Sequence, residues 1–371
     1  MKTKSIFLLF LSILIVSCTG SHRRGTEQGD TLKLKYAEHL NLVKYDGYTV
    51  ATLVDPWKKG RTLHTYVLVP REGELPEKLP QGTVIRTPIR SSVVFTSVHC
   101  SLFMMLGAQN AIKGVCDLGY INLPWIRKMT ATGRIADCGN SMQADVERII
   151  DIKPDVLLVS PFENSGGYGR LEEVNIPIVE CADYMETSAL GRAEWMKFYG
   201  LLTGCEQQAD SLFAVVDANY KALKAEAAKS KVSRSVITER KMGAVWYVPG
   251  GQSVPGRLLK DAGARYAFAD VKQSGSLSLP FETVLDKAGE ADVWLYKYND
   301  HPANYKELSA EFEGYTRMKA FKMKQIYGCN TSRIPYFEEA PFRPDYLLRD
   351  IIHIVHPDLK PVKLRYYSLL P

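Results

Sequence analysis

The chain has 371 residues, 46% of them hydrophobic and 24% charged, the composition of a globular protein with room for two ordinary domains, which excludes disorder as its default state. Its formal charge of +6 at pH 7 includes Lys2 and Lys4 in a segment expected to be removed, and the remaining charge of about +4 is too little for nucleic acid. No RNP aromatic signature, zinc-finger spacing or long basic run is present to supply phosphate contacts.

At the N-terminus, "MKTKSIFLLFLSILIVSC" sets two lysines before an apolar stretch from Ile6 to Val16, too short to span a bilayer comfortably, and then small residues before Cys18. It reads as an export signal, and its last four residues resemble a bacterial lipobox, so residues 1–17 are expected to be cleaved and Cys18 to carry lipid. Residues 18–31 then form a polar tether, poor in apolar side chains. Export permits disulfides, but the other six cysteines show no Cys-x-x-Cys spacing, and six allow fifteen pairings; several are expected to be plain buried thiols.

Residues 32–90 alternate in short segments such as "YTVATLVDPW" and "LHTYVLVP", separated by Gly and Pro, which predicts an antiparallel hairpin or small sheet. From "SSVVFTSVHCSLFMMLG" the pattern changes: a β-branched strand gives way to an apolar helix ending at Gly107, and strand-then-helix alternation recurs through "VLLVS" and "IPIVEC". That order predicts a parallel sheet covered by helices over 91–186. Residues 187–230 hold no strand candidate and no proline; they predict two helices broken at Thr203-Gly204, the second with Ala209, Leu212, Phe213, Val216, Tyr220 and Leu223 on one face. Past them the alternation starts again in "SVITER", "GAVWYV", "VPGRLLKDAG", "DVWLY", "KQIYGC" and "DYLLRDIIHIV", giving a second α/β lobe over 231–371.

Each lobe contains a similar phrase. "VERIIDIKPDVLLVS" (146–160) and "FETVLDKAGEADVWLY" (281–296) both open at a glutamate, Glu147 or Glu282, reach an aspartate four residues on, and enter a strand through Asp-Val. The spacing differs by two residues, so the likeness is a structural equivalence and not a sequence repeat. A carboxylate at a helix start is favoured by the helix dipole by a few tenths of a kcal/mol, which alone would account for both glutamates; the sharper reading is that each grips a basic residue of a membrane partner.

The lipobox, "RSSVVFTSVHCSLFMMLG", "DVERIIDIKPDVLLVS", the helical middle, "VWYVPGGQSVPGRLLKDAGA", "LPFETVLDKAGEADVWL" and "FRPDYLLRDIIHIVHPDL" together resemble the iron-chelate and vitamin B12 family of periplasmic binding proteins, which serve ABC importers. The resemblance covers about residues 85–360 and leaves the role of residues 32–85 unassigned. It implies two Rossmann-like lobes joined by one long rigid α-helix, ligand in the cleft between them, and no catalysis. It also implies docking of Glu147 and Glu282 on arginines of an ABC permease dimer served by its ATPase. The expected product is a monomeric lipoprotein of the periplasm or cell envelope that binds an iron chelate, haem or cobalamin and needs no cofactor. A single rigid hinge predicts modest lobe movement.

In such folds ligands meet loops that follow the carboxyl ends of strands. Candidates there are Tyr120, Trp125, Tyr168, Trp246, Tyr247, Tyr298, Tyr336 and Phe337, whose rings suit a corrin, porphyrin or catecholate, with Arg240 and Arg333 for an anionic chelate. Ordinary packing would account for any one of them singly. His99 is the one histidine placed to face the cleft as a haem or metal ligand, while His353 and His356 suit a surface role at the last helix end. No Gly-x-Ser-x-Gly elbow or His-Glu-x-x-His is present, and carboxylates on separate lobes are too far apart for acid–base work. The alternative class is a two-lobed metal-cofactor enzyme or assembly subunit of the nitrogenase-like type.

Overall fold

A computed structural model describes residues 29–163 and 167–371. Cys18, the lipobox and most of the tether lie outside the described residues.

Two five-stranded sheets build the lobes. In the N-terminal lobe the order is Ile178–Glu180, Val156–Val159, Ser92–Val94, Ile112–Val115, Ala136–Asp137, with every neighbouring pair parallel. In the C-terminal lobe the order is Arg265–Tyr266, Ser235–Thr238, Val293–Tyr298, Ile326–Asn330, Ser368–Leu369, parallel except for the last pair. Central strands such as Val156–Val159 are buried throughout, as expected where helices cover both faces. "GAVWYV" departs from the expected alternation. Its strand Val245–Pro249 leaves the main sheet and pairs antiparallel with Lys241–Met242 and Ser276–Pro280, because the tight turn at Gly243 folds it back as a hairpin.

The helical middle is divided once more than its pattern predicts, into Ala189–Glu194, Met196–Thr203 and Glu206–Ala227. Gly204, at φ +68°, adopts the left-handed C-cap conformation that separates the last two. The 22-residue helix Glu206–Ala227 is long enough to span about 33 Å. It buries Ala209, Phe213, Val216 and Tyr220 on one face, as the spacing predicts, and packs along Pro344–Val355 of the C-terminal lobe. This is the single long helix that joins two Rossmann-like lobes.

The N-terminal residues form a five-stranded sheet, Asp30–Leu32, Leu40–Tyr45, Tyr48–Val54, Thr62–Pro70 and Thr83–Thr87, antiparallel except for its last pair. It is stitched into the body of the protein. Glu194, fully buried, accepts the backbone N–H groups of Lys35, Tyr36 and Ala37 at 2.7–3.0 Å. Glu186 accepts those of Glu38 and His39, and the Tyr66 hydroxyl donates to Ile178 O on the edge of the lobe sheet. Without this segment buried Glu194 would lose three backbone donors and Glu186 two, leaving Glu186 the Trp195 indole N–H, which is costly in a low-dielectric interior.

The Asp-Val of the repeated phrase has the same task in both lobes. Asp155 accepts the N–H groups of Arg90 and Ser91, and Asp292 accepts that of Ser235, so each pins the start of the strand neighbouring its own. Burial pushes the Asp292 carboxyl up, but hydrogen bonds from Lys319 and Ser235 outweigh it and hold the group well below the usual carboxylate range. All six described cysteines are free thiols, five of them buried.

Candidate functional site

Strand order reverses between Ser92–Val94 and Val156–Val159 in one lobe and between Ser235–Thr238 and Val293–Tyr298 in the other. At such switch points the connecting loops diverge and leave a crevice beyond the carboxyl ends of the strands. The N-terminal crevice is a groove of about 460 Å³ lined by Thr96, Ser160, Phe162, Asp183, Tyr184 and Arg192. The C-terminal one is a recess of about 200 Å³ whose polar wall is Thr238, Glu239, Lys297 and Tyr336, with Leu258, Leu295 and Leu347 among its apolar residues. Arg192, Phe337 and Pro341 line both, so the two crevices form one continuous cleft between the lobes.

Arg192 is held from behind. It lies on Ala189–Glu194, and its Nε donates to Asp183 Oδ2 at 3.0 Å. Asp183, fully buried, also accepts from His99 Nε2 at 2.8 Å and from the Tyr199 hydroxyl at 3.0 Å. Burial raises the Asp183 carboxyl, but His99 and Arg192 overcome it and hold the group low. Burial likewise disfavours a charged His99, yet the Cys181 thiol and Asp183 beside the ring raise it well above the ordinary imidazole range. With Nε spent on Asp183, the terminal nitrogens of Arg192 remain for the cleft.

On the opposite wall Lys297, next to last in the inner strand Val293–Tyr298, pairs with Glu239, its Nζ 5.5 Å from the centre of the Tyr336 ring. Burial lowers the lysine, and Tyr336 and Glu239 raise it by more, so it stays charged. The lobes are clasped beside the cleft where the Asn122 N–H donates to buried Glu338 at 2.9 Å, and Phe342 packs edge-on to His99 and Tyr199. The site can hold a ligand with flat or apolar surface between rings and a negative group on Arg192, shielded from water on two sides.

Of the residues expected from sequence, Tyr336 and Phe337 line this cleft. Tyr168 lies on a further groove of about 900 Å³ that meets the cleft through Thr96, Ser160 and Phe162, and its hydroxyl donates to Glu180 at 2.8 Å. Tyr120 is 83% exposed and lines neither crevice, and Trp125 is half-buried against the lobe core. Tyr298 stacks on Tyr296, while Arg333 projects into solvent 3.8 Å from Asp300. Arg240 is committed to Glu311, with Nη1 2.7 and 2.6 Å from its two oxygens.

Trp246 is corrected outright: it is fully buried among Phe281, Trp294 and Tyr315, its Nε1 donating to Thr238 O, because strand alternation turns it inward. Tyr247, its neighbour, faces out from the small sheet, away from the cleft. His99 is no free ligand either, since it is buried with Nδ1 on the Thr96 hydroxyl and Nε2 on Asp183. His356 is buried, its ring nitrogens facing Val232 O and Ala262 O, and is not at the surface. Glu147 and Glu282 each occupy the first turn of a helix, exposed, and neither forms an ion pair among the described residues.

Sequence reasoning missed Arg192, Asp183, Lys297 and Glu239. A signal existed for two of them: Lys297 interrupts the otherwise uncharged run "VWLYKY", and Arg192 is the one basic residue of a helix whose other residues are all buried. Asp183 and Glu239 gain their full meaning from partners 84 and 58 residues away, His99 and Lys297.

Comparison with known proteins agrees with this architecture. The sequence profile of the periplasmic binding protein family matches residues 103–332. An uncharacterized lipoprotein of Methanocaldococcus jannaschii is 27% identical over 361 residues, covering 90% of this chain and 84% of its own. A periplasmic heme binding protein from Pseudomonas aeruginosa superposes with a TM-score of 0.58 at 15% identity, over 76% of this chain and 98% of that one. The periplasmic vitamin B12 binding protein of Vibrio cholerae gives 0.53 at 13% identity, over 72% and 96%. At these identities the two structures establish a shared fold. With the family profile spanning more than half its length and two lobes hinged on one long helix, the chain belongs to the periplasmic binding protein family.

Proposed function

We propose that the protein is the ligand-capturing lipoprotein of an ABC importer. It takes an iron chelate, haem or a cobalamin into the cleft and presents it to a permease dimer driven by its ATPase, with Glu147 and Glu282 as docking points. Lipid on Cys18 tethers it in the periplasm or cell envelope, and no bond of the ligand is made or broken. The working division is a tether to residue 31, an N-terminal sheet to 90, lobes over 91–186 and 231–371, and the helical segment between.

One observation carries this reading: the switch points of both lobes open onto the same cleft, joined by Arg192, Phe337 and Pro341. A groove shared by two sheets suits reversible capture of a ligand larger than either lobe would enclose. Arg192 adds positive charge opposite aromatic walls, since the Asp183 beside it is shared with a charged His99, whereas Lys297 is matched by Glu239; this favours an anionic, ring-bearing chelate. Quenching of tryptophan fluorescence, titrated with haemin, cyanocobalamin and a panel of ferric siderophores, is the test. Saturable one-to-one binding of one of these is expected. Failure of all of them, or steady turnover of any, would overturn the proposal.

A further inference from the structure

A separate recess of about 750 Å³ opens where the linking helix Glu206–Ala227 passes the helix Val254–Asp261 of the C-terminal lobe. Buried Ala189 and Leu258 line both this recess and the ligand cleft and form the wall between them. Each helix turns two cations into the recess, three residues apart: Lys221 and Lys224 from the first, Arg257 and Lys260 from the second.

Asp261 is the one carboxylate in that lining. It ties the helices together, accepting from Lys224 Nζ at 2.7 Å and from the Tyr220 hydroxyl at 2.9 Å, so its charge is spent on a single lysine. Lys221 Nζ lies 2.7 Å from Asp217, but that carboxylate also takes Lys35 Nζ at 2.9 Å and the Tyr36 hydroxyl, and two lysines draw on one charge. Arg257 has no carboxylate. Its Nε and Nη2 donate to the backbone and side-chain oxygens of Gln252 at 3.2 and 3.0 Å, which leaves Nη1 and the second hydrogen of Nη2 as a fork. Lys260, exposed, has neither an ion pair nor a hydrogen bond among the described residues.

Positive charge therefore exceeds negative in a concave site that Tyr36, Leu190 and Leu258 make partly apolar. Like charges gathered against low-dielectric walls repel one another and focus their field on whatever anion enters. One carboxylate would answer one of these cations, whereas cations facing each other from two helices match a ligand with several negative oxygens.

We infer that this recess binds a multiply charged phosphate ligand, held between Lys221 and Lys224 on one side and Arg257 and Lys260 on the other. The Arg257 fork suits two phosphate oxygens, and the lysines act as point charges. A free polyphosphate and the headgroups of an anionic phospholipid share this chemistry, and lipid on Cys18 would hold the chain near the second. The inference stands apart from the importer reading, since none of the four cations lines the ligand cleft.

The test acetylates the lysines of the full-length lipoprotein with an N-hydroxysuccinimide ester and reads each one by peptide mass spectrometry. One arm adds inorganic tripolyphosphate to the protein in detergent micelles. The other compares the protein reconstituted in vesicles of phosphatidylcholine alone with vesicles that also contain phosphatidylglycerol. Lys128, exposed on Pro124–Ala131 of the other lobe, is the control. Saturable protection of Lys221, Lys224 and Lys260, with Lys128 labelled as before, is expected in one arm or both. Protection by tripolyphosphate alone assigns a soluble ligand, and protection by phosphatidylglycerol alone assigns a headgroup. The double variant Arg257→Gln, Lys260→Gln should weaken the protecting anion about tenfold or more, as loss of a hydrogen bond to a charged group does. Raising salt from about 0.1 to about 1 M should weaken it as well. No protection in either arm, equal protection of Lys128, or unchanged affinity in the double variant overturns the inference.

Discussion

Replacing Asp183 with asparagine keeps the shape of the side chain and removes its charge, leaving His99 and the Nε of Arg192 facing a neutral group in the buried floor of the cleft. Breaking a buried ion pair from one side costs about 3–5 kcal/mol, because the remaining charge is stranded. The loss should depend on pH. His99 is held above its ordinary value, so its contribution is complete below pH of about 6.5 and is lost as pH rises toward its folded value, by up to about 1.4 kcal/mol per pH unit. Asp183 is held below its ordinary value and contributes above pH of about 4, losing that contribution as pH falls through its folded value. Urea unfolding of the wild type and Asp183→Asn, followed by circular dichroism at pH 5.5, 7 and 9, should therefore show the widest gap near pH 5.5 and a narrower one at pH 9. A gap under about 1 kcal/mol at pH 5.5, or one that stays constant to pH 9, would refute the charge network as the support for Arg192.

Arg192→Gln should weaken an anionic ligand by roughly 10- to 150-fold, the loss of one hydrogen bond to a charged group, while leaving a neutral ligand near wild-type affinity; titration calorimetry with both kinds reads the difference. Glu147→Arg or Glu282→Arg should abolish delivery in a whole-cell uptake assay with ligand affinity nearly unchanged, and equal loss of both would remove their docking role. Trp246→Ala should cost about 3–5 kcal/mol in denaturant unfolding, since it empties a buried indole site. Phe337→Ala, on an exposed ring at the cleft, should leave stability within about 0.5 kcal/mol and lower ligand affinity, measured by fluorescence quenching.

The alternation of strand and helix patterns was enough to specify two α/β lobes and the helix between them, because apolar spacing is a local property that each segment carries within itself. The buried face of Glu206–Ala227 and the exposed glutamates at two helix starts were legible for the same reason. Ligand-facing aromatics were not. Trp246 and Tyr247 are neighbours in one strand, and only the pleat and the pairing of that strand decide which goes inward. Arg192 and Lys297 stand 105 residues apart in sequence yet line one recess. What puts them there is the order of strands in each sheet and the clasp of Asn122 on Glu338, contacts between distant segments. The chain alone thus determined the type and order of most elements, though not the extra break in the helical middle or the sheet that Val245–Pro249 joins. Which side chains meet in the cleft was decided by tertiary packing, since a binding site is a juxtaposition and no single stretch of sequence contains one.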